Sequence, residues 1–503
     1  MAANEAKRHQ VVIVGGGITG LTLALMLQNL DVDYVLLEAY GTVTPNVGAS
    51  IGLYANGLRI LDQLGCYQDI LTKSQPTEET ICRNAASGKR IMTRHAKDAV
   101  IRRHGYATIF MERHDLLCVL YEHLRDKDRI ILNKKVQRVE TREGSAVVYT
   151  ADGSIFEGQI VVGADGVRST IRKEMWRNAD DNGDSAAIPA RDRGAIPCEH
   201  ACVFGTAKPT PGIKPGDVIS ASGDGTVVGC MGGADGRVFV FWFWTLPASQ
   251  RSCPIDDIPR FDDEDKRREL ARGADAIIAD NGLRFRAVVD NLKFSGVTAL
   301  PHFVMRRWHY GRIIILGDAA HKFNPLVGQG GNSCIESCAS LVNALRDRGL
   351  AGGGGASWAL AQVTEASTAV ERQRIDRVDK MVEESQDAMR ASAWDTLKGR
   401  LMFKYIMPLM PMSLWLNFYS EHISGGLSLT GVGSLMRAHE WPYSDEKGAE
   451  EKGSVLTRST VVTTLPIAAL TAFFLARVLQ KGDVLGGSFV FSRVMEQVSW
   501  FRR

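Results

Sequence analysis

Three groups of residues in this chain have types and spacings that could do chemistry. The first is Gly15, Gly17 and Gly20, in G-x-G-x-x-G spacing, with Glu38 further along. In such an arrangement Gly15 makes the tight turn, Gly17 lets backbone approach a pyrophosphate, and Gly20 lets a helix lie close on a strand. The helix N-terminus offers unpaired N–H groups to phosphate, and Glu38 can accept from a ribose hydroxyl. The chemistry is dinucleotide binding. The second group is GADGVRS (163–169), a small-residue turn carrying Asp165 and Arg168. The third is GDAAH (317–321), followed by PLVGQGGN (325–332), which sets Asp318 ahead of a loop that lacks bulky side chains near its end. No serine–histidine–acid set or metal cluster stands out, and Cys334-x-x-x-Cys338 lies in a helical pattern where packing explains it.

Each group needs a strand and a helix to hold it. Val11–Val14 is a short β-branched run that reads as a buried parallel strand, and Leu21–Leu30 repeats apolar residues at helical intervals before the run Tyr34–Leu37. Ile160–Val162 and Ile313–Leu316 are two more buried strands, leading into helices over Ser169–Trp176 and Ser333–Arg346. Between these units the character changes. Thr80–Ile101 alternates apolar and charged residues and predicts antiparallel strands. Short strands are expected at Arg129–Leu132, Val136–Glu140, Ala146–Thr150 and Ile155–Glu157, with Asp152-Gly153 marking a hairpin. Asn178–Pro197 reads as a mobile connection, and Ala201–Leu246 as a β meander whose strand Val238–Trp244 is strongly aromatic. Gly352–Gly355 is a flexible break ahead of a long amphipathic helix, Ala356–Arg390.

Bulk properties exclude several classes. A net charge of +3 over 503 residues supplies no field for nucleic acid, and nine irregularly spaced cysteines form no disulfide framework. A reducing compartment is expected. The polar opening MAANEAKRHQ is not a signal peptide. Apolar residues at 45% describe an ordinary globular core.

Taken together, GGGITG, GADGVRS and LGDAAH…P…GQGGN resemble the three fingerprints of group A FAD-dependent monooxygenases, over about residues 10–390. MERHDLL, VFG…P and the hydrophobic tail resemble, more weakly, the fungal branch that epoxidises prenyl chains in meroterpenoid and indole-diterpene pathways. The resemblance implies an α/β fold: a Rossmann-like FAD-binding domain interleaved with a mostly antiparallel β-sheet substrate domain, plus C-terminal helices. The expected division is an FAD-binding part at 1–175 (with substrate-sheet strands near 80–105), a substrate sheet at 176–305, a second FAD-binding part with the long helix at 306–395, and a hydrophobic helical region at 396–503. It implies that Asp318 accepts from the flavin ribityl hydroxyls, that Gly52 makes a backbone contact and Arg113 contacts the flavin side, and that the loop ending at Gly331 lies against the isoalloxazine. Asp165 and Arg168 match a motif that the family uses for both flavin and NADPH. The chain has no second G-x-G-x-x-G, consistent with a nicotinamide that binds transiently.

The implied activity uses NADPH and molecular oxygen on an apolar prenylated small molecule, epoxidising an alkene before cyclisation; the cofactor carries the hard step and the protein supplies positioning and a dry cavity. His321 is expected to pack and hydrogen-bond. His200 stands where relatives tend to carry Tyr or Arg, and Ser222 where a Tyr often precedes a glycine, so His200 is the candidate catalytic side chain. Rival readings are an aromatic hydroxylase, which would need a base for a phenol, a sterol-type epoxidase, and a flavin-binding partner protein without turnover. Ser459–Ala476 carries no charge and would extend about 27 Å as a helix. It is expected to associate with a membrane, the endoplasmic reticulum among the candidates, with the catalytic domain on the cytosolic side; burial against the body is the alternative. Leu401–Tyr419 reads as interfacial. Oligomeric state is left open.

Overall fold

Val11–Val14 forms the inner half of a central strand, Lys7–Val14, because an uninterrupted apolar run can be buried on both faces only in a covered parallel sheet. The computed structural model describes residues 7–46, 50–350, 357–433 and 437–446. The chain divides into two compact units at Asp445, and of the second only Glu446 is among the described residues. Gly352–Gly355 and Ser459–Ala476 therefore lie outside them.

The main path of the first sheet runs His309–Tyr310, Ile313–Ile315, Ile155–Gly163, Lys7–Val14, Tyr34–Leu37, Ile130–Ile131, parallel except for the first pair, and Ala146–Thr150 and Val136–Thr141 extend it antiparallel from Ile155–Gly163. Val14 pairs with both Gly163 and Leu37, and Gly163 with Ile315. The loops that follow these strands therefore leave from one edge, the carboxyl end where open α/β sheets bind ligands. The helix Ile18–Asn29 is buried along most of its length, between this sheet and the helix Gly330–Arg346. Gly158 sits against Val12, where a Cβ would come within 2.8 Å of Val12 Cγ2; this lets the two expected pieces 155–157 and 160–162 run as one strand.

A second sheet has the order Leu292–Leu300, His200–Ala207, Val238–Thr245, Thr226–Gly232, Asp217–Gly223, Glu79–Asn84, Arg90–Arg94. All its neighbours are antiparallel except Asp217–Gly223 with Glu79–Asn84. The fold is thus a mostly parallel α/β layer interleaved with a mostly antiparallel sheet, followed by C-terminal helices.

Several local expectations change. The stretch 200–246 is not a plain meander, because its first strand pairs with its last rather than with its successor. Alternation in 80–101 continues only to Arg94; Lys97–His104 is a helix, with Val100 and His104 buried on one side and Gly105 closing it in the left-handed region at φ 78°. Its apolar residues fall together rather than alternate. The connection 178–197 is held in place: the helix from Thr170 continues to Asp181, and buried Asp192 accepts from the backbone N–H groups of Arg306 and Arg307 at 2.9 Å. The long helix begins at Leu360 and ends at Ser392, its entry fixed by the Ala359 N–H donating to Gln362 Oε1. The region 397–424 is helical in short pieces: Leu397–Leu401, a π-turn at Met402–Ile406, a 3-10 turn, then Met412–Ser424.

Candidate active site

At the carboxyl edge of the parallel sheet, two cavities meet at Gly17, Arg113, Ala164 and Gly166. The first, about 460 Å³, is lined by the glycine loop, Glu38, Lys134 and Arg168. The glycines do different work. Gly15 sits at φ 108°, where a Cβ would lie 2.5 Å from Ala164 O, and a Cβ on Gly20 would lie 1.9 Å from Gly15 O. Both are required by the chain itself. A Cβ on Gly17 would meet nothing closer than Arg113 Nη2 at 3.7 Å, so that position faces the cavity. Gly17 also starts its helix without a side-chain cap, leaving the first N–H groups to a ligand. Glu38 is held by the Gly16 N–H at 2.6 Å and the Tyr40 N–H at 2.9 Å, so its carboxylate stands at the far end of the lobe.

The second cavity, about 540 Å³, is bounded by Gly52, Asp318, Lys322 and Gly331 on one side and by Phe241, Phe243, Phe403 and Met407 on the other. The helix Gly330–Arg346 also begins without a side-chain cap, and a Cβ on Gly330 would meet no atom within 4 Å. Its amino end is locked to the strand Ser50–Leu53: Asn332 Nδ2 donates to Gly52 O and Gly328 O, and Asn332 Oδ1 accepts from Tyr54 N. Behind it, Glu336 and Arg374, both fully buried, form an ion pair, and Arg377 pairs with the same carboxylate at 2.9 Å. Burial alone would raise the Glu336 carboxyl, but the Arg377 and Arg374 charges outweigh it and hold the group at about 2.

Of the expected site residues, Gly15, Gly17, Glu38, Gly52, Arg113, Asp165, Asp318 and Gly331 line these two cavities, while Gly20 supports the turn from below. Arg113 stands where they join; burial lowers its pKa and the Asp318 charge offsets part of that. Asp318 is ion-paired with Lys322, four residues on in the strand His321–Lys322. The Asp165 carboxylate accepts from Ser169 Oγ and from the Ile171 N–H, which ties down its own turn and leaves that turn's backbone to face the cavity. His321 is buried against Ser337 Oγ, and burial pushes it down to about 3.

His200 is not brought to the cavity wall. It shares a sheet face with Phe241 and Phe243 but lies at the strand's end opposite Thr245, fully buried, with Nε2 2.8 Å from Asp395 Oδ2. Asp395 also accepts from Thr245 Oγ1 at 2.6 Å. The residues that do wall the cavity, Met92, Phe241, Phe403, Met407 and Trp415, come from segments far apart in sequence. The strand's aromatic content was the sole signal pointing to any of them.

A two-lobed cavity with uncapped helix N-termini on both lobes and a carboxylate at its outer end fits an extended dinucleotide. The family profile described as "FAD binding domain" matches residues 8–378. FAD-dependent monooxygenase penE of Penicillium thymicola is 34% identical over 430 residues, 84% of this chain and 89% of that protein. The chain belongs to the FAD-dependent monooxygenases. The monooxygenase is also similar to nvfK of Aspergillus novofumigatus (35% over 415 residues, 80% and 84% of the two chains) and atmM of Aspergillus flavus (34% over 406, 81% and 83%), both FAD-dependent monooxygenases. Among solved structures it shares its fold with Klebsiella pneumoniae HpxO complexed with FAD and uric acid, at a TM-score of 0.65 and 20% identity, covering 84% of this chain and 97% of that one. The 2,6-dihydroxypyridine-3-hydroxylase of Arthrobacter nicotinovorans aligns at 0.58 and 16%, covering 89% and 100%. FAD is therefore the cofactor of this monooxygenase.

Proposed function

We propose that this enzyme uses NADPH and molecular oxygen to epoxidise an alkene on the prenyl chain of a fungal meroterpenoid or diterpene-type product, before cyclisation. Bound FAD supplies the chemistry, activating dioxygen and delivering one oxygen atom. In this reading Glu38 and the helix amide groups at Gly17 hold the dinucleotide, Asp318 and Arg113 orient its middle, and the loop ending at Gly331 seats the ring. The aromatic and methionine wall excludes water and lays an apolar chain across the cavity.

The observation that carries the epoxidase reading is the absence of a ready base on the cavity wall. Among the described residues there, Asp318 is taken by Lys322, and burial pushes the Cys82 and Cys334 thiols up to about 12. An alkene needs no deprotonation to accept an electrophilic oxygen, whereas a phenol gains rate from a base. Aromatic hydroxylation draws support from an adjoining cavity of about 350 Å³, where Glu384 Oε2 lies 3.3 Å from His422 Nδ1. Burial raises Glu384, which makes its carboxylate a stronger base than usual, and lowers His422 to about 4, which keeps the imidazole beside it neutral. Incubation with NADPH, labelled dioxygen and a farnesyl-bearing aromatic compound decides between them. Label at a prenyl double bond is expected; label on an aromatic carbon with the prenyl alkenes intact would overturn the epoxidase.

Among the described residues no helix is long and apolar enough to cross a membrane. Membrane association through 459–476 rests on its charge-free sequence alone, and a chain ended near Arg458 would then hold to membranes more weakly with its flavin retained.

A further inference from the structure

Ten large hydrophobic side chains are prominently exposed among the described residues, and six of them, Leu397, Leu401, Met402, Tyr405, Leu409 and Phe418, fall within residues 397–418. Leu397 is 74% and Tyr405 51% exposed. Solvated apolar residues scattered singly need no explanation, but a concentration of this kind on one short segment marks an interaction surface. The segment holds three cations, Lys398, Arg400 and Lys404, and no Asp or Glu between Asp395 and Glu421. Arg400 has one neighbouring carboxylate, Asp224, at 3.3 Å, itself 79% exposed.

The opposite side of the same segment forms the catalytic cavity. Phe403 and Met407, one turn apart across the π-turn, point inward and line the large cavity together with Trp415. Trp415 lines the adjoining cavity as well. The outer and inner faces of one broken helix thus join the apolar surface to the site of chemistry. The longest helical piece, Met412–Ser424, has 13 residues and would extend about 20 Å, too short to cross a bilayer core of about 30 Å. Short helices with an apolar face and a cationic rim lie in the interface instead.

We propose that residues 397–418 form a lipid-docking surface that seats the catalytic unit on the interfacial layer of an anionic bilayer, and that an apolar substrate passes from that layer past Phe403, Met407 and Trp415 to the flavin. Docking is independent of the 459–476 segment; only the nature of the cargo rests on the epoxidase reading. Charge complementarity favours anionic lipid over a protein partner, because three cations unrelieved by acid on the segment suit a phosphate-rich plane, while the aromatic and aliphatic tips between them suit its acyl boundary.

The test is flotation of the full-length flavoprotein with vesicles of phosphatidylcholine, with and without phosphatidylserine. Leu401→Ser with Leu409→Ser and Phe418→Ser should lower partition onto both at least tenfold at unchanged flavin content. Leu397→Ser with Tyr405→Ser, at the most exposed positions, should move it the same way. Replacing Lys398, Arg400 and Lys404 by Gln should abolish the preference for phosphatidylserine. Parent-like partition of the apolar variants, or a phosphatidylserine preference that survives loss of the cations, would overturn the proposal. Parent-like partition together with faster proteolysis within 447–503 would also overturn it, by showing that the surface seats the chain's own C-terminal segment. Because flotation reads no turnover, a wrong assignment of the substrate would leave this result standing.

Discussion

The two lobes of the cofactor cavity are built by opposite strategies. The nucleotide lobe is centred on contiguous chain: strand, glycine turn, helix and returning strand occupy residues 7–38 and set its geometry by backbone, with Arg113, Lys134 and Arg168 completing its lining. The ring lobe and the substrate space beyond it are assembled from side chains of seven or more separate segments, held in register by a buried charge network around Glu336. The first can be damaged by the addition of a single methyl group and the second by the loss of a single charge. Backbone-built sites are rigid because few degrees of freedom enter them. Side-chain-built sites depend on every element that carries a wall, which makes them readily changed in specificity and costly to disturb at their anchor.

The sharpest contrast lies within the glycine turn. Gly17→Val places its side chain in open cavity, so flavin content should fall to near zero while the fold, followed by circular dichroism and melting temperature, survives. Gly20→Ala drives a Cβ into Gly15 O and should instead cost folding about 3 kcal/mol, the upper part of the usual overpacking range. Normal flavin in the Gly17 variant would reduce that lobe to a structural turn.

On the other side, Glu336→Gln leaves Arg374 fully buried without its partner charge, and a loss of about 3–5 kcal/mol is expected in urea unfolding. The pH dependence carries a definite sign. Glu336 is held at about 2 against an ordinary 4.5, so its contribution is complete above about pH 4.5 and is lost as pH falls towards 2. Parent and variant stabilities should therefore converge in acid, and a constant gap down to pH 2 would disprove the ion-pair account.

A smaller effect is expected of Asp318→Ala, which removes one charged acceptor and releases Lys322. FAD should bind about tenfold more weakly by fluorescence titration, in line with one hydrogen bond to a charged group. Equal affinity would exclude Asp318 from cofactor binding. The smallest effect on turnover belongs to His200→Ala. With Nε2 committed to Asp395 away from the cavity, its loss should reduce kcat by far less than the roughly 100-fold minimum typical of a general acid or base. A 100-fold loss would restore it to the reaction.

The same contrast explains what could be read from sequence. The three loops at the carboxyl edge were legible because each is contiguous and each follows a short apolar strand with no ambiguity of period. The cavity wall was not: that Phe241 and Phe243 face the same way follows from alternation, but that Met92, Phe403 and Trp415 meet them depends on packing between elements hundreds of residues apart. His200 shows the limit within a single strand. Its face could be inferred and its distance from the cavity could not, because register against Val238–Thr245 decides which end is covered. Glu336 gave no signal at all, since its partners Asn56, Arg374 and Arg377 are brought to it by two other helices, Ala55–Gln63 and Leu360–Ser392. The strands expected over Thr80–Ile101 end early because Lys97–His104 does not alternate: its apolar residues fall together, and Val100 and His104, four apart, share the buried side of a helix.

The register of the central sheet has a consequence for how the protein is made. Lys7–Val14 is made before either of its neighbours, yet one of them is Ile155–Gly163, and that strand waits in turn for Ile313–Ile315. Synthesis proceeds at roughly 5–20 residues per second. The amino-terminal nucleotide motif must therefore remain exposed on one edge for many seconds, as an apolar strand without its second partner, until Gly163 has been made. Parallel pairing over such sequence separations is slow and prone to wrong association. Chaperone demand during translation should fall most heavily on the first strand, and FAD can enter only a chain that is already long enough to have closed behind it.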